Sequence, residues 1–232
     1  MKKVTQKASS PQKALGRPKD LGKHAAILLA AKAQFMRHGF DRASMDAIAL
    51  EAGVSKLTIY THFGSKDELF KAMIVEKCQE FKLNHGYEQL LALPLKDALM
   101  QIGLRFTQLM YEKEVIALNR IIISESAEKP KISQLLYEAG PKPSAAALAD
   151  FLRWHHHKRH LQLPQIEAAT QHFFSLLKGE RHFTVMMNIQ KPPTEKERRA
   201  HVADCVALFM RAYAPIKKVL PASAKKSDRS KR

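Results

Sequence analysis

The stretch that decides the reading runs Ser44-Met45-Asp46-Ala47-Ile48-Ala49-Leu50-Glu51-Ala52-Gly53-Val54-Ser55-Lys56-Leu57-Thr58-Ile59-Tyr60-Thr61-His62-Phe63. Ser44 and Ser55 each stand before an apolar-periodic octet, where a side-chain oxygen satisfies an orphan helix N–H. The periods predict two short helices, about Met45–Ala52 and Lys56–Phe63. Between them lie Gly53, Val54 and Ser55, and a turn of three to four residues containing Gly is the signature of a helix-turn-helix. Gly53 supplies a left-handed backbone position at little steric cost, and Val54 fills the angle between the helices. At ~100° per residue, Ile59 and Phe63 point the same way, into a core. Leu57, Thr58, Tyr60 and Thr61 take the opposite face, flanked by Lys56 and His62. A merely solvated face would carry charges. Hydroxyls, a phenol ring and an aliphatic chain suit base edges, thymine methyls and phosphate oxygens. Leu57 and Thr61 lie directly opposite the core pair and reach deepest, and Tyr60 and His62 sit toward the two walls of a groove.

Working outward, a helix from about Leu21 to His38 precedes this unit, with Leu28, Ala31 and Phe35 on its apolar stripe and Gly39 closing it. Downstream, Ser65 and Glu68 read as a capping box opening a helix to about His85, and Lys66 adds an ammonium at a helix N-terminus suited to anions. Looser helical periods follow over Leu95–Tyr111, Val115–Ala127, Ile132–Ala139, Ser144–His160, Pro164–Asn188 and, after Pro192-Pro193 and a Thr194 cap, a last helix to about Tyr213. No alternating β-branched run bounded by turn residues occurs. The expected fold class is all-α, with domains 24–70 (helix-turn-helix) and 71–215 (ligand binding and dimerisation) between basic tails 1–23 and 216–232.

Composition agrees with a globular body. The chain has 232 residues, 45% of them hydrophobic, enough to bury a core without disulfides. Cys78 and Cys205 stand 127 positions apart, which excludes a disulfide framework and a Cys-x-x-Cys centre. No apolar run approaches ~18 residues, and the basic N-terminus has no apolar stretch behind it. The expectation is a cytoplasmic protein without a membrane partner. The charge is +17, and each tail holds seven Lys/Arg against one Asp. Residues 24–70 hold five of each sign, so attraction to a polyanion must come largely from the tails.

These residues carry a resemblance. Gly16-Arg17-Pro18, Ile27 to Phe40, Ser44 to Ala49, Glu51 to Ser55, Thr58 to Phe63 and Ser65-Lys66-Asp67-Glu68-Leu69 resemble the TetR/AcrR family of bacterial transcriptional regulators over about the first 70 residues. Asn119-Arg120 through Glu125, Lys129-Pro130 and Leu136 to Pro141 are similar to AefR-like C-terminal domains. Leu57 departs from the small residue of many members, which bears on the operator sequence. The resemblance implies an all-helical homodimer that represses nearby genes from a pseudo-palindromic operator and is released by a small molecule. It implies phosphate contacts from Tyr60, His62 and Lys66 and a minor-groove arm around Arg17. The DNA-binding set is thus Arg17, Ser44, Lys56, Leu57, Thr58, Tyr60, Thr61, His62 and Lys66.

The C-terminal part offers two further sets. Ile166, Phe173, Leu177, Val206, Phe209 and Tyr213 put large apolar groups on the last two long helices, as a four-helix dimer interface requires. Phe106, Met110, Asn119, Ile122, Phe151, Trp154 and Phe174 combine aromatic, soft and singly polar groups, suiting an apolar or amphipathic effector; plain core packing accounts for such residues as well. His156 and His160 share a face at i, i+4, yet two imidazoles do not make a metal site, and a basic helix C-terminus accounts for Lys158, Arg159 and His160. A lone Cys in a helix is an ordinary small apolar group, although Cys78 and Cys205 leave a redox-responsive regulator open. Glu125 is placed to neutralise Arg120. No catalytic motif is present, so no enzyme, cofactor or metal is expected. The alternatives are an architectural DNA-binding protein without an effector, since it too would use both tails, and a metal- or redox-responsive regulator.

Overall fold

The computed structural model describes residues 21–79 and 87–215. Its described residues form eleven α-helices. They are α1 (Leu21–Arg42), α2 (Met45–Ala52), α3 (Lys56–Phe63), α4 (Lys66–Gln79), α5 (Tyr87–Ala92), α6 (Leu95–Met110), α7 (Lys113–Glu125), α8 (Pro130–Ala139), α9 (Pro141–His157), α10 (Ile166–Met186) and α11 (Glu195–Ala212). The chain separates into two compact units, 1–70 and 71–232. The fold is all-α. Arg17 and the two basic tails lie outside the described residues, apart from Leu21–Lys23.

In the first unit the caps set the geometry. Ser44 Oγ accepts the Ala47 N–H at 3.0 Å and Ser55 Oγ accepts the Thr58 N–H at 3.1 Å. Gly53 is left-handed at φ 65°, ψ 33°. The Gly53 N–H reaches Leu50 O and the Val54 N–H reaches Ala49 O, a Schellman closure of α2. Ile27, Leu28, Ala31 and Phe35 of α1 are buried with Ile48, Ile59, Phe63 and Leu69. Phe35, Phe40 and Phe70 form a ring cluster with centroids 5.1–5.6 Å apart. Glu51 ties α2 to α1, accepting from Gln34 Nε2 at 2.6 Å and from Arg37 at 2.8 Å. Those bonds, Gln34 first, hold its carboxyl below the usual range, because each favours the charged form.

In the second unit α6 packs on α10 and α11. A Cβ at Gly103 would stand 2.7 Å from Val202 and 3.1 Å from Leu177, so only glycine permits that approach. Leu99, Leu148, Phe151, Leu152, Phe173, Leu177, Val206 and Phe209 are fully enclosed here. α10 breaks at Gly179 (φ 54°, ψ −171°). Two carbonyls just before the break take donors from α11: His201 Nε2 lies 3.0 Å from Leu177 O, and the Cys205 thiol 3.3 Å from Leu176 O.

Several boundaries depart from the periodic reading. The helix expected over Ser144–His160 begins at Pro141, since Pro is tolerated in a first turn. It stops at His157 because Arg159 is left-handed (φ 59°) and the His160 N–H folds back to His155 O. α5 is an addition to the periodic reading, its six residues being too few to show a period. Ser65 Oγ does accept the Glu68 N–H at 3.1 Å.

Candidate nucleic-acid interface and effector domain

Ile59 and Phe63 of α3 are buried, whereas Leu57 is 75% exposed and Tyr60 42% exposed. An aliphatic side chain so bare has nothing of this unit to pack on. Lys56 and Thr61 are exposed, and Thr58 and His62 half-buried. The polar groups are only partly committed. Thr61 Oγ1 donates to Leu57 O at 2.8 Å, so the side chain shows outward a methyl and acceptor lone pairs. Ser55 Oγ and Thr58 Oγ1 share a hydrogen bond at 2.8 Å. Lys56 Nζ donates to Asp46 at 2.8 Å, and that bond raises its pKa. Ser44 is occupied as the cap of α2.

His62 is packed among rings, 6.2 Å from His24 and 6.2 Å from Phe63. Lys66 does double service. Its Nζ donates to Asp41 O at 2.9 Å and stands 4.8 Å over the Phe40 ring. Burial lowers its pKa. An ammonium has three donors, so two remain for a phosphate.

The C-terminal sets require corrections. Phe173, Leu177, Val206 and Phe209 are 0–1% exposed and face the core of their own protomer, where α6 covers them. They cannot form a dimer interface. Of that set, Ile166 and Tyr213 keep part of their surface, and Tyr213 Oη bonds His172 Nδ1 at 2.6 Å. The exposed large apolar groups here are instead Phe183 of α10, Met187 just after its end and Leu208 of α11. Of the effector set, Phe106 and Phe174 meet at 4.6 Å, with Met110 half-buried on the same helix as Phe106. Phe151 and Ile122 are core residues at 0% and 4% exposure. Trp154 packs on His155 and His160 instead. Asn119 Nδ2 donates to Val115 O at 2.9 Å within its own helix, so its amide is spent on backbone.

The expected ion pair of Arg120 with Glu125 is also overturned. Glu125 pairs with Lys129 at 3.5 Å, whereas Arg120 donates to Val185 O at 2.7 Å and Met186 O at 2.8 Å. A guanidinium on the last carbonyls of α10 complements the negative helix end. Nor do His156 and His160 pair. His155 Nδ1 lies 3.0 Å from His160 Nδ1, while His156 Nδ1 accepts the Leu163 N–H at 3.1 Å. His155 is buried, and desolvation with the nearby His160 lowers its pKa to about 4. Among the described residues no three of His, Cys, Asp and Glu converge, and burial raises the Cys205 pKa. A hollow of about 560 Å³ opens beside Arg153, His156, Leu163 and Gln165; its Arg153 is engaged by Asp150 and Glu167. No described helix is long and apolar enough to cross a membrane.

A capped helix pair presenting an uncharged outer face, joined to a larger helical unit, defines a DNA-binding regulator of the helix-turn-helix class. Residues 27–73 match the bacterial regulatory proteins of the tetR family, and residues 97–215 the C-terminal domain of AefR-like transcriptional repressors. The chain belongs to the TetR family of transcriptional regulators. The solved structure of the flavonoid-responsive regulator FrrA is 31% identical, with a TM-score of 0.66 over 84% of this chain and 98% of that one. A TetR-family structure from Mesorhizobium loti is 25% identical, with a TM-score of 0.69 over 85% and 99%. A helix-turn-helix transcriptional repressor of Streptomyces coelicolor is 40% identical over 60 residues. That match covers 26% of this chain and 31% of the relative, so the chain spans about a third of that curated relative's length.

Proposed function

We propose that this protein is a cytoplasmic homodimeric repressor that binds a pseudo-palindromic operator through α3 and leaves it when a small amphipathic effector binds the second unit. The observation that carries the reading is the outer face of α3, where Leu57 and Thr61 stand bare on the side opposite Ile59 and Phe63. Leu57 meets a thymine methyl. Thr61 offers a methyl and acceptor lone pairs, since its proton is held by Leu57 O, and so reads a donor such as adenine N6 or cytosine N4. Tyr60, His62, Lys66, Lys56, Thr58 and the Ser44 end of α2 take the phosphate walls, which position the protein without reading sequence. The tail 1–23, Arg17 included, supplies the charge that residues 24–70 lack. Two copies read two half-sites about one helical turn or a multiple apart, joined through the outer faces of α10 and α11 with Leu208, Phe183 and Met187 in place of the enclosed residues. The named response of FrrA to flavonoids supports an aromatic, amphipathic effector.

Footprinting of the full chain on its own upstream region tests this. Two symmetric protected half-sites are expected, with protection abolished on adding the effector. Removal of residues 1–22 weakens binding and flattens the log K versus log salt slope by about 0.9 for each phosphate that is no longer neutralised. A monomer protecting a single unpaired site would refute the reading.

A further inference from the structure

Residues 24–70 hold five Lys/Arg and five Asp/Glu, and the cations of this unit are engaged within it. Arg37 pairs with Glu51 at 2.8 Å. Arg42 Nε donates to His38 O, and Lys66 Nζ to Asp41 O. Lys56, the first residue of α3, donates to Asp46, the second residue of α2, at 2.8 Å. Lys56 is the one Lys or Arg of the recognition helix, and its carboxylate comes from the other helix of the pair.

The two side chains are 48% and 71% exposed. An ion pair so open adds little to stability, and the Gly53 closure and the Ser55 cap already set the turn between α2 and α3. What the pair changes is the field met by DNA. Lys56 and Tyr60 stand one helical turn apart on one flank of α3, beside the bare Leu57 and Thr61. A phosphate oxygen accepting from Lys56 Nζ at about 2.8 Å would stand within about 5.6 Å of the Asp46 oxygen already bonded there. That is inside the Debye length of about 8 Å at physiological salt, so the two anions repel and compete for one ammonium. A phosphate of an arbitrary duplex, loosely placed, meets an ammonium already neutralised. Seating Leu57 and Thr61 on their bases presses this flank against the backbone and fixes a phosphate close enough to take the ammonium over.

We infer that Asp46 sets sequence specificity: its carboxylate holds Lys56 in the free protein and on arbitrary DNA, and yields it to a phosphate only where α3 makes its base contacts. This rests on the DNA-reading face proposed above and adds to it a residue that touches neither base nor phosphate. Asp46 is a positioning residue that acts through Lys56. Its effect is to lower affinity for the wrong sequence rather than to raise it for the right one, since discrimination is a difference of the two.

The test measures binding of the full chain by fluorescence anisotropy over a series of salt concentrations. One duplex is selected from a random pool with the wild type, and the other is a scrambled duplex of the same length and composition. Asp46→Asn keeps the side-chain shape and removes the charge. On the scrambled duplex it is expected to bind roughly 3- to 10-fold tighter at low salt. The log K versus log salt slope there steepens by about 0.9, the mark of one more neutralised phosphate. The selected duplex gains less, so the ratio of the two affinities falls. Lys56→Met in the Asp46→Asn background removes the gain. Asp46→Ser gives the same comparison where Asp46→Asn does not fold by circular dichroism. An unchanged slope on the scrambled duplex, an equal gain on both duplexes, or a gain that survives Lys56→Met overturns the inference. So does weaker binding to both duplexes, the result of a pair that merely pins α2 to α3. A wild type that binds both duplexes equally refutes the operator reading and this inference with it. A wild type that discriminates, with an Asp46→Asn variant that discriminates as well, refutes this inference alone.

Discussion

Replacing Gly53 isolates the backbone cost of the turn before α3. Gly53 sits at φ 65°, ψ 33°, and a Cβ there would meet no atom within 4 Å. Gly53→Ala therefore adds no clash and no useful contact, so its effect is conformational. An L-residue in the left-handed region costs roughly 1–2 kcal/mol. Against that, the reduced freedom of the unfolded chain offsets about 0.4–1 kcal/mol. The expected net destabilisation is about 1 kcal/mol. In a unit of this size that lowers the melting temperature by roughly 4–8 °C. Gly53→Asn should cost less than half as much, because a short polar side chain tolerates this region and bonds locally. Thermal unfolding followed on the separately expressed 1–70 unit, or on the full chain by hydrogen exchange of the α2 and α3 amides, measures both. If Gly53→Ala is neutral, or Asn is as costly as Ala, the Schellman closure is not what holds the angle between α2 and α3.

Three further outcomes follow from the second unit. Arg120→Met should destabilise it by about 1–2 kcal/mol and speed hydrogen exchange over the end of α10, read by denaturant titration and mass spectrometry. Gly103→Ala should cost about 1–3 kcal/mol through overpacking against Val202 and Leu177, and a compensating Val202→Ala should recover part of it. His155 has a folded pKa of about 4, below that of the unfolded chain. Its contribution is therefore full above the unfolded value near 6.5 and declines as pH falls toward 4, on the order of 3 kcal/mol in all. His155→Phe should flatten the stability profile across that window, and a profile unchanged by the substitution would show that another group sets it.

What lay open in the sequence is what contacts three or four residues apart settle. Ser44, Ser55 and Ser65 each cap a donor three positions on, Gly53 closes α2 through the next residue, and Ile59 and Phe63 share a face at one helical turn. These dictate the helix pair and the bare face carrying Leu57 and Thr61 before any packing is known. The last two long helices were legible as amphipathic, but not the destination of their apolar stripes. Phe173, Leu177, Val206 and Phe209 were free to meet a second copy or their own chain, and the arrival of α6, with Gly103 allowing its approach, put them in the protomer core. Arg120 found carbonyls 65 and 66 residues away rather than the carboxylate five positions on. His155 took the place of His156 because a left-handed Arg159 reverses the chain. Hydrogen bonds within one turn are fixed by local dihedrals, whereas the partner of a helix face or a long cation depends on which distant segments the core brings beside it. That choice is made only when the tertiary structure closes.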